Sequence, residues 1–203
     1  MIYESLHILT KKFDYYLRSA SGNLEETKDI AILGNIAYAE LSGDKDHQEV
    51  SNQVVVSLVS LEEDASLKNQ NHFVKKNDRF EKKNPKVFAN LNILISANYP
   101  KDYTNSLKML NRIVQFFQGE SVLKYKDSPL PELAEVSNIE SLEVNIEMMS
   151  LSFEQLNQLW GNLGGKIVPS VLYKARVVAI EREAPLSTGP AITNIKINND
   201  KWN

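Results

Sequence analysis

Apolar residues recur at every third or fourth position in the opening segment: Ile2, Leu6, Leu9, Phe13, Tyr16 and Leu17. That spacing lines one side of a helix over residues 1–20, broken by the small residues at 19–22. The period then changes. Ile30, Ile32, Ile36 and Tyr38 alternate with smaller or polar residues and predict a strand, followed by a turn at Ser42, Gly43 and Asp44. Val54, Val56 and Leu58 fall on one side of the next strand, with Val55, Val59 and Leu61 on the other, which predicts a central strand covered on both faces. The clearest alternation sets Val87, Ala89, Leu91, Ile93, Ile95 and Ala97 against Phe88, Asn90, Asn92, Ser96 and Asn98. Leu94 interrupts the polar row, and the segment reads as a strand with one buried face.

Tyr99 and Pro100 stop that strand, and Asp102 is placed to cap a helix carrying Leu107, Leu110, Ile113, Val114 and Phe117 and closing at Gly119. Beyond Pro129 and Pro131, Leu142, Val144, Ile146 and Met148 alternate as another strand. Ser152 and Gln155 have the capping-box spacing, opening a short helix through Leu156, Leu159 and Trp160 that ends at Gly164 and Gly165. A strand rich in β-branched residues follows over 171–180, and the chain turns polar from Ala184. The order is α, β, β, β, α, β, α, β and a tail. This is an α+β fold in a single domain, a mixed or mostly antiparallel sheet flanked by about three helices. Residues 1–183 form the domain and 184–203 an extended C-terminal tail. The hairpin-like connections around 42–52 and 66–84 favour antiparallel pairing, because parallel neighbours need a crossover element.

Composition narrows the chemistry. With no cysteine, disulfides, thiolate metal sites and cysteine nucleophiles are excluded, and His7, His47 and His72 stand too far apart for a metal-ligand spacing. The 203 residues sum to a formal charge of -3, without the basic excess of a nucleic-acid binder. The N-terminal stretch mixes acids and lysines into its apolar pattern and is no signal peptide, and the apolar run 54–61 is too short to span a bilayer. Synthesis in the cytoplasm without a Sec-type route out is the expectation. Glu62, Glu63 and Asp64 form the tightest acidic cluster. A hydrolase using them would need a polar pocket around carboxylates that an extended chain points in alternating directions, and a solvated loop accounts for them more simply. The glycines at 161, 164 and 165 follow a helix where a phosphate cradle would precede one, so they read as a C-cap.

Charge distribution says more than any motif. Residues 68–86 hold seven bases against two acids, a local +5, interleaved with Phe73, Val74 and Phe80. Residues 119–150 hold seven acids against two bases, a local -5. Two readings stand: ordinary solvated faces, or complementary patches that meet between copies or with a partner. On the second reading the basic contact is carried by Lys75, Lys76, Arg79, Phe80, Lys82 and Lys83, and the acidic one by Glu132, Glu135 and Glu140. The tail also has two readings. It is an unstructured terminus, or a segment anchored by Ile195, Ile197 and Trp202 that adds to another subunit's sheet.

Four stretches together carry a resemblance: 84–99 (NPKVFANLNILISANY), 112–119 (RIVQFFQG), 129–131 (PLP) and 152–180 (SFEQLNQLWGNLGGKIVPSVLYKARVVAI). They resemble the family typified by the N-terminal domain of the tail-terminator, or cap, proteins of extracellular contractile injection systems, with the Photorhabdus virulence cassette and the antifeeding prophage as type systems. The segment SFEQLNQLWGNLGG is its most specific part. The resemblance implies a phage tail-terminator-like fold and a structural, non-enzymatic role with no catalytic residue, cofactor or metal. It implies a homo-oligomeric ring, expected to be a hexamer, that ends the inner tube and contractile sheath and stops their polymerisation. The implied partners are itself and the tube and sheath proteins, with no nucleic acid and no direct membrane insertion. The implied location is an assembled particle that is released or membrane-attached. The alternative is a soluble assembly adaptor or chaperone that binds tube or sheath components transiently.

Overall fold

A computed structural model describes residues 1–21, 28–40, 49–64, 73–76, 79–82, 86–127, 130–134, 139–180 and 187–190. In chain order the elements are α1 (Ile2–Ser21), β1 (Ala31–Leu33), β2 (Gln53–Glu63), β3 (Phe73–Lys76), β4 (Arg79–Lys82) and β5 (Val87–Asn98). There follow α2 (Tyr103–Gly119), β6 (Val122–Lys124), β7 (Glu143–Met149), α3 (Phe153–Asn162), β8 (Ser170–Ile180) and β9 (Ser187–Pro190). A six-stranded mixed sheet runs in the order β1-β2-β5-β8-β7-β6, and a three-stranded sheet in the order β3-β4-β9.

Each face of the large sheet has its own apolar layer. On one side, Leu9, Phe13 and Leu17 of α1 and Ile113, Phe116 and Phe117 of α2 pack against Val54, Val56, Leu91, Ile93, Ile95 and Tyr173. On the other, Trp160 of α3 and Ile36 pack against Val55, Leu94 and Leu172. Alternate residues of one strand serve opposite layers, as the two-residue period requires. The expected two-sided burial of β2 is therefore found at Val54, Val55 and Val56 but not further along, where Leu58 and Leu61 are exposed. For β5 the expectation of one buried face is corrected. Every residue from Ala89 to Asn98 is buried, and Leu94, which broke the polar row, is an anchor of the second layer.

Two further corrections concern connections, while the 66–84 connection joins the antiparallel pair β2 and β5 as expected. The strand expected to include Ile36 and Tyr38 stops at Leu33, and Ile36–Glu40 is a 3-10 helix. Asn35 Oδ1 accepts from Ala37 N at 3.0 Å, while Ser57 Oγ accepts from Ile36 N at 3.1 Å and donates to Gly34 O at 2.7 Å. Asn and Ser side chains that satisfy nearby backbone groups in this way compete with a ladder and start a turn. β1 pairs parallel to β2, Ala31 opposite Val54, instead of antiparallel. The connection between β2 and β5 carries the β3–β4 hairpin, and β9 pairs antiparallel with β4, Arg79 opposite Pro190. The turn expected at Ser42, Gly43 and Asp44 lies outside the described residues.

Helix ends follow their local chemistry. Asp102 Oδ1 accepts from Asn105 N at 2.9 Å, and Ser152 with Gln155 makes a complete capping box. At the C-terminus of α3, Gly165 N donates to Trp160 O at 2.7 Å, with Gly164 at φ +108° and Gly165 at φ +84°. This six-residue closure is a Schellman motif, and glycine takes the left-handed positions because it has no Cβ to clash. Space is not the constraint at Gly164, since a Cβ there would meet only Ala37 O at 4.0 Å. Gly164→Ala is therefore expected to cost about 1–2 kcal/mol through backbone strain alone, read as a lowered urea midpoint with an unchanged slope.

Candidate assembly surface

The face of the sheet that carries α3 is apolar at one end and polar at the other. Toward the start of β5, Ser60, Asn92, Lys174 and Glu147 align in register across β2, β5, β8 and β7. Asn92 Nδ2 donates to Ser60 Oγ at 2.9 Å and to Glu62 Oε1 at 2.7 Å, and Lys174 Nζ reaches Glu62 Oε2 at 2.6 Å. These bonds from Lys174 and then Asn92 hold the Glu62 carboxyl below the usual carboxylate range. Arg176 Nε donates to Glu147 Oε1 at 2.7 Å. The acidic triplet is thus corrected from a solvated loop: Glu62 and Glu63 belong to β2, and the Glu62 carboxylate is spent on cross-strand pairing. Among the described residues no group of three or more His, Cys, Asp or Glu is placed to hold a metal ion.

Pairing also redraws the acidic region of 119–150. Glu120 meets Lys12 at 2.9 Å, Glu143 meets Lys124 at 3.6 Å, and Glu147 pairs with Arg176. Three of the seven acids are neutralised within the chain, while Asp127 and Glu140 are exposed. Glu132 lies in the 3-10 turn Pro131–Leu133 and Glu140 in the turn Ile139–Ser141.

On the basic side, Lys75 and Lys76 lie on β3 and Arg79, Phe80 and Lys82 on β4, with Lys76 opposite Arg79 and Lys75 opposite Phe80. The segment read as a loop contains a hairpin. Lys83, Glu135, Ile195, Ile197 and Trp202 fall outside the described residues. Topology sends both charged connections to one end of the large sheet. The hairpin joins the end of β2 to the start of β5, and the segment with Glu132 and Glu140 leads into the start of β7.

Several exposed apolar residues were not singled out from the sequence as surface. Phe153 is 88% exposed, Tyr103 67% and Ile167 62%. Phe153 follows the Ser152 cap, where Leu151 and Leu156 turn inward and leave it outside. Leu107 and Val114, placed on the expected core stripe of α2, are half-exposed, because Met109, Phe116 and Phe117 fill the contact instead. A stripe this wide carries more apolar residues than one face can bury, and the period alone does not say which turn inward.

Tyr103 and Ile167 flank a cavity of about 310 Å³ at the end of the sheet where β5 finishes and β8 begins. Trp160, Tyr99, Ile36 and Pro169 also line it. Burial, partly offset by Arg112, pushes the Tyr99 hydroxyl up to about 12, so it stays protonated. Trp160 is 2% exposed, and its indole N–H is buried with no acceptor among the described residues.

Two solved structures share this fold. One is described as the PVC sheath/tube terminator in the extended state, from an extracellular contractile injection system. It aligns with a TM-score of 0.58 at 16% identity, covering 97% of this chain and 63% of that one. The other is the anti-feeding prophage cap, described as the AFP tube terminating cap, with a TM-score of 0.56 at 12% identity over 93% of this chain and 59% of that one. This chain therefore spans less than two thirds of either protein. A comparison with curated proteins gives no match. The sequence profile of the Pvc16 N-terminal domain matches residues 8–194, and the chain belongs to that family.

Proposed function

We propose that this chain is a structural cap of a phage-tail-like contractile injection particle. In this reading it forms a homo-oligomeric ring, a hexamer, that ends the inner tube and sheath and stops their growth. The observation that carries the reading is the correspondence in fold of 97% of the chain with a sheath/tube terminator. The role needs surfaces and no active site. No helix among the described residues is long and apolar enough to cross a membrane.

A closed ring of identical subunits needs two different patches on each copy. We assign them to the basic hairpin (Lys75, Lys76, Arg79, Phe80, Lys82, Lys83) and to the acidic turns with Glu132, Glu135 and Glu140. Opposite charge steers docking and fixes its register. Reversing Lys75, Lys76, Lys82 and Lys83 to Glu is expected to abolish ring formation and leave particles of uncontrolled length, both read by electron microscopy. Rings and a length distribution matching the parent would refute the patch assignment. Absence of the unaltered chain from the ends of purified particles would refute the cap reading itself.

A further inference from the structure

β2 is longer than the strand that covers its outer side. β1 faces it only from Val54 to Val56, while β2 runs on to Glu63. Val54 N donates to Ile30 O and Gly34 N to Val56 O, so alternate residues turn their backbone groups outward, to β1 and then, past its end, at Leu58. The extra residue between Leu58 and Ser60 moves the next outward position to Leu61. The outward groups of Leu58 and Leu61 find no partner among the described residues, and both side chains are exposed. A cavity of about 580 Å³ lies where β1 stops, with Leu33, Gly34, Ser57, Leu58 and Leu159 in its lining.

The opposite edge of the same sheet, β6, is open as well. Ser121 O accepts from Ile146 N and Tyr125 N donates to Leu142 O, so residues 121, 123 and 125 turn to β7 while Val122 and Lys124 turn outward. Their outward groups also have no partner among the described residues. Leu123 belongs to the layer under α1 and α2, which puts Val122 and Lys124 on the α3 side. Leu58 and Leu61 are opposite Ile93 and Leu91 and stand on the α1 and α2 side.

This difference of side decides how two copies can meet. In an antiparallel ladder, residues that offer both backbone groups face one another; in a parallel ladder each faces a residue that offers none, as Val54 faces Ala31. Facing residues share a side of the sheet. With both layers continuous across the joint, β6 of one copy can therefore bond to β2 of the next only in parallel. The steps β2 to β5, β5 to β8, β8 to β7 and β7 to β6 are all antiparallel, so β2 and β6 do run the same way. They are open at the same level too. Val122 faces Asn145 and Asn145 faces Arg176, which lies between the β8 partners of Leu91 and Ala89, themselves opposite Leu61 and Glu63. Equal direction and equal level are what rotation about one axis requires of neighbours in a head-to-tail ring. Charge agrees, since β2 ends in Glu62 and Glu63 while β6 carries Lys124 and leads to Lys126. Two β2 edges brought together would instead add acid to acid.

We propose that β6 of one copy adds in parallel to the outer edge of β2 of a second copy, Val122 beside Glu62, extending the six-stranded sheet from subunit to subunit. The inference rests on the ring reading in requiring a second copy placed head to tail. The basic hairpin follows β2 in the chain and the acidic turns follow β6, so the charged patches assigned above leave from the same two edges.

The absence of native cysteine makes disulfide trapping a clean test on the full chain. Within one chain β2 and β6 stand four strand spacings apart, roughly 19 Å, too far for an internal disulfide between Glu62→Cys and Val122→Cys. On oxidation the double variant should give a ladder of covalent dimers, trimers and larger species. Its yield should be roughly tenfold that of a Tyr15→Cys/Val122→Cys chain at the same concentration, the gain expected from a raised effective concentration. Adding Leu61→Lys, an edge charge that blocks strand addition, should remove the ladder and leave the urea midpoint unchanged. A ladder no stronger than the control's would overturn the edge pairing. So would one indifferent to Leu61→Lys, or one that stops at dimers as a two-fold contact would. Six-fold rings in the electron microscope without the ladder would overturn the pairing and leave the cap reading standing. A ladder from a chain never found at particle ends would leave the pairing standing and remove the cap reading.

Discussion

Phe13→Ala is expected to lower the unfolding free energy by about 3–5 kcal/mol, enough to remove much of the stability of an ordinary domain. Phe13 is fully buried in the middle of α1. Its ring lies 5.0 Å from Phe116 and 6.0 Å from Phe117 of α2, and Phe117 lies 4.2 Å from Tyr173 of β8. This aromatic chain joins both helices to the centre of the sheet. Removing its first member leaves a cavity that three separate elements would have to collapse to fill, which is why the loss belongs at the upper end of the range for truncated core residues. The check is a urea or thermal unfolding curve beside Tyr15→Ala, which sits on the same helix but is 67% exposed and is expected to shift stability by less than about 0.5 kcal/mol. Equal losses for the two would mean that α1 does not pack as described.

Asp14→Ala is the second large effect, about 3 kcal/mol. The Asp14 carboxylate is buried and has three claims on it. Oδ1 accepts from Ile30 N at 2.7 Å and Ala31 N at 2.9 Å, and Oδ2 meets Arg18 Nε at 2.6 Å. Alanine leaves two backbone donors unmet at the entry to β1, the segment that α1 holds against the sheet. Arg18 keeps a second partner in Asp29, so the guanidinium is not stranded and the loss stays below that of a fully broken buried pair. Asp14→Asn retains an acceptor oxygen for the two N–H groups and is expected to lose about half as much. Hydrogen exchange at Ile30 and Ala31 separates this local effect from global unfolding. If protection there is unchanged in the alanine variant, the carboxylate is not what holds β1.

Much of the frame was legible because its signals are local. The helix periods, the Asp102 cap, the Ser152–Gln155 box, the glycine C-cap, the alternation of β7 and the β-branched run of β8 each lie within a few residues of the element they specify. The family was legible too, through segments whose match now extends over residues 8–194. What escaped reading depends on residues far apart. Nothing near Ile36 announces that Ser57, twenty-one positions later, will cap its N–H and end the strand. The parallel pairing of β1, the three-residue β6 and the β4–β9 pair are likewise set by partners distant in sequence. For the surface, the sequence showed where charge is concentrated but not that Lys12 would neutralise Glu120, or Arg176 neutralise Glu147. It also could not show that the exposed ring of Tyr103 and the side chain of Ile167 would meet beside one cavity, since they arrive from elements more than sixty residues apart.

The buried polar row of β5 bears on the fidelity of crowded assembly. Asn90, Asn92, Ser96 and Asn98 all lie on the α3 side of the central strand. Slipping that strand by one residue would drive all four into the apolar layer under α1 and α2 and expel Leu91, Ile93 and Ile95. Kinks where the pairing shifts, at Leu58/Ser60 on one side and Ala89/Leu91 on the other, further restrict the alignments available. In the ring proposed above, copies would stand at high local concentration, where trading strands between neighbours is the characteristic error. A central strand that tolerates only one alignment makes such trades unrewarding, so neighbours would join through their surfaces and leave each other's cores alone.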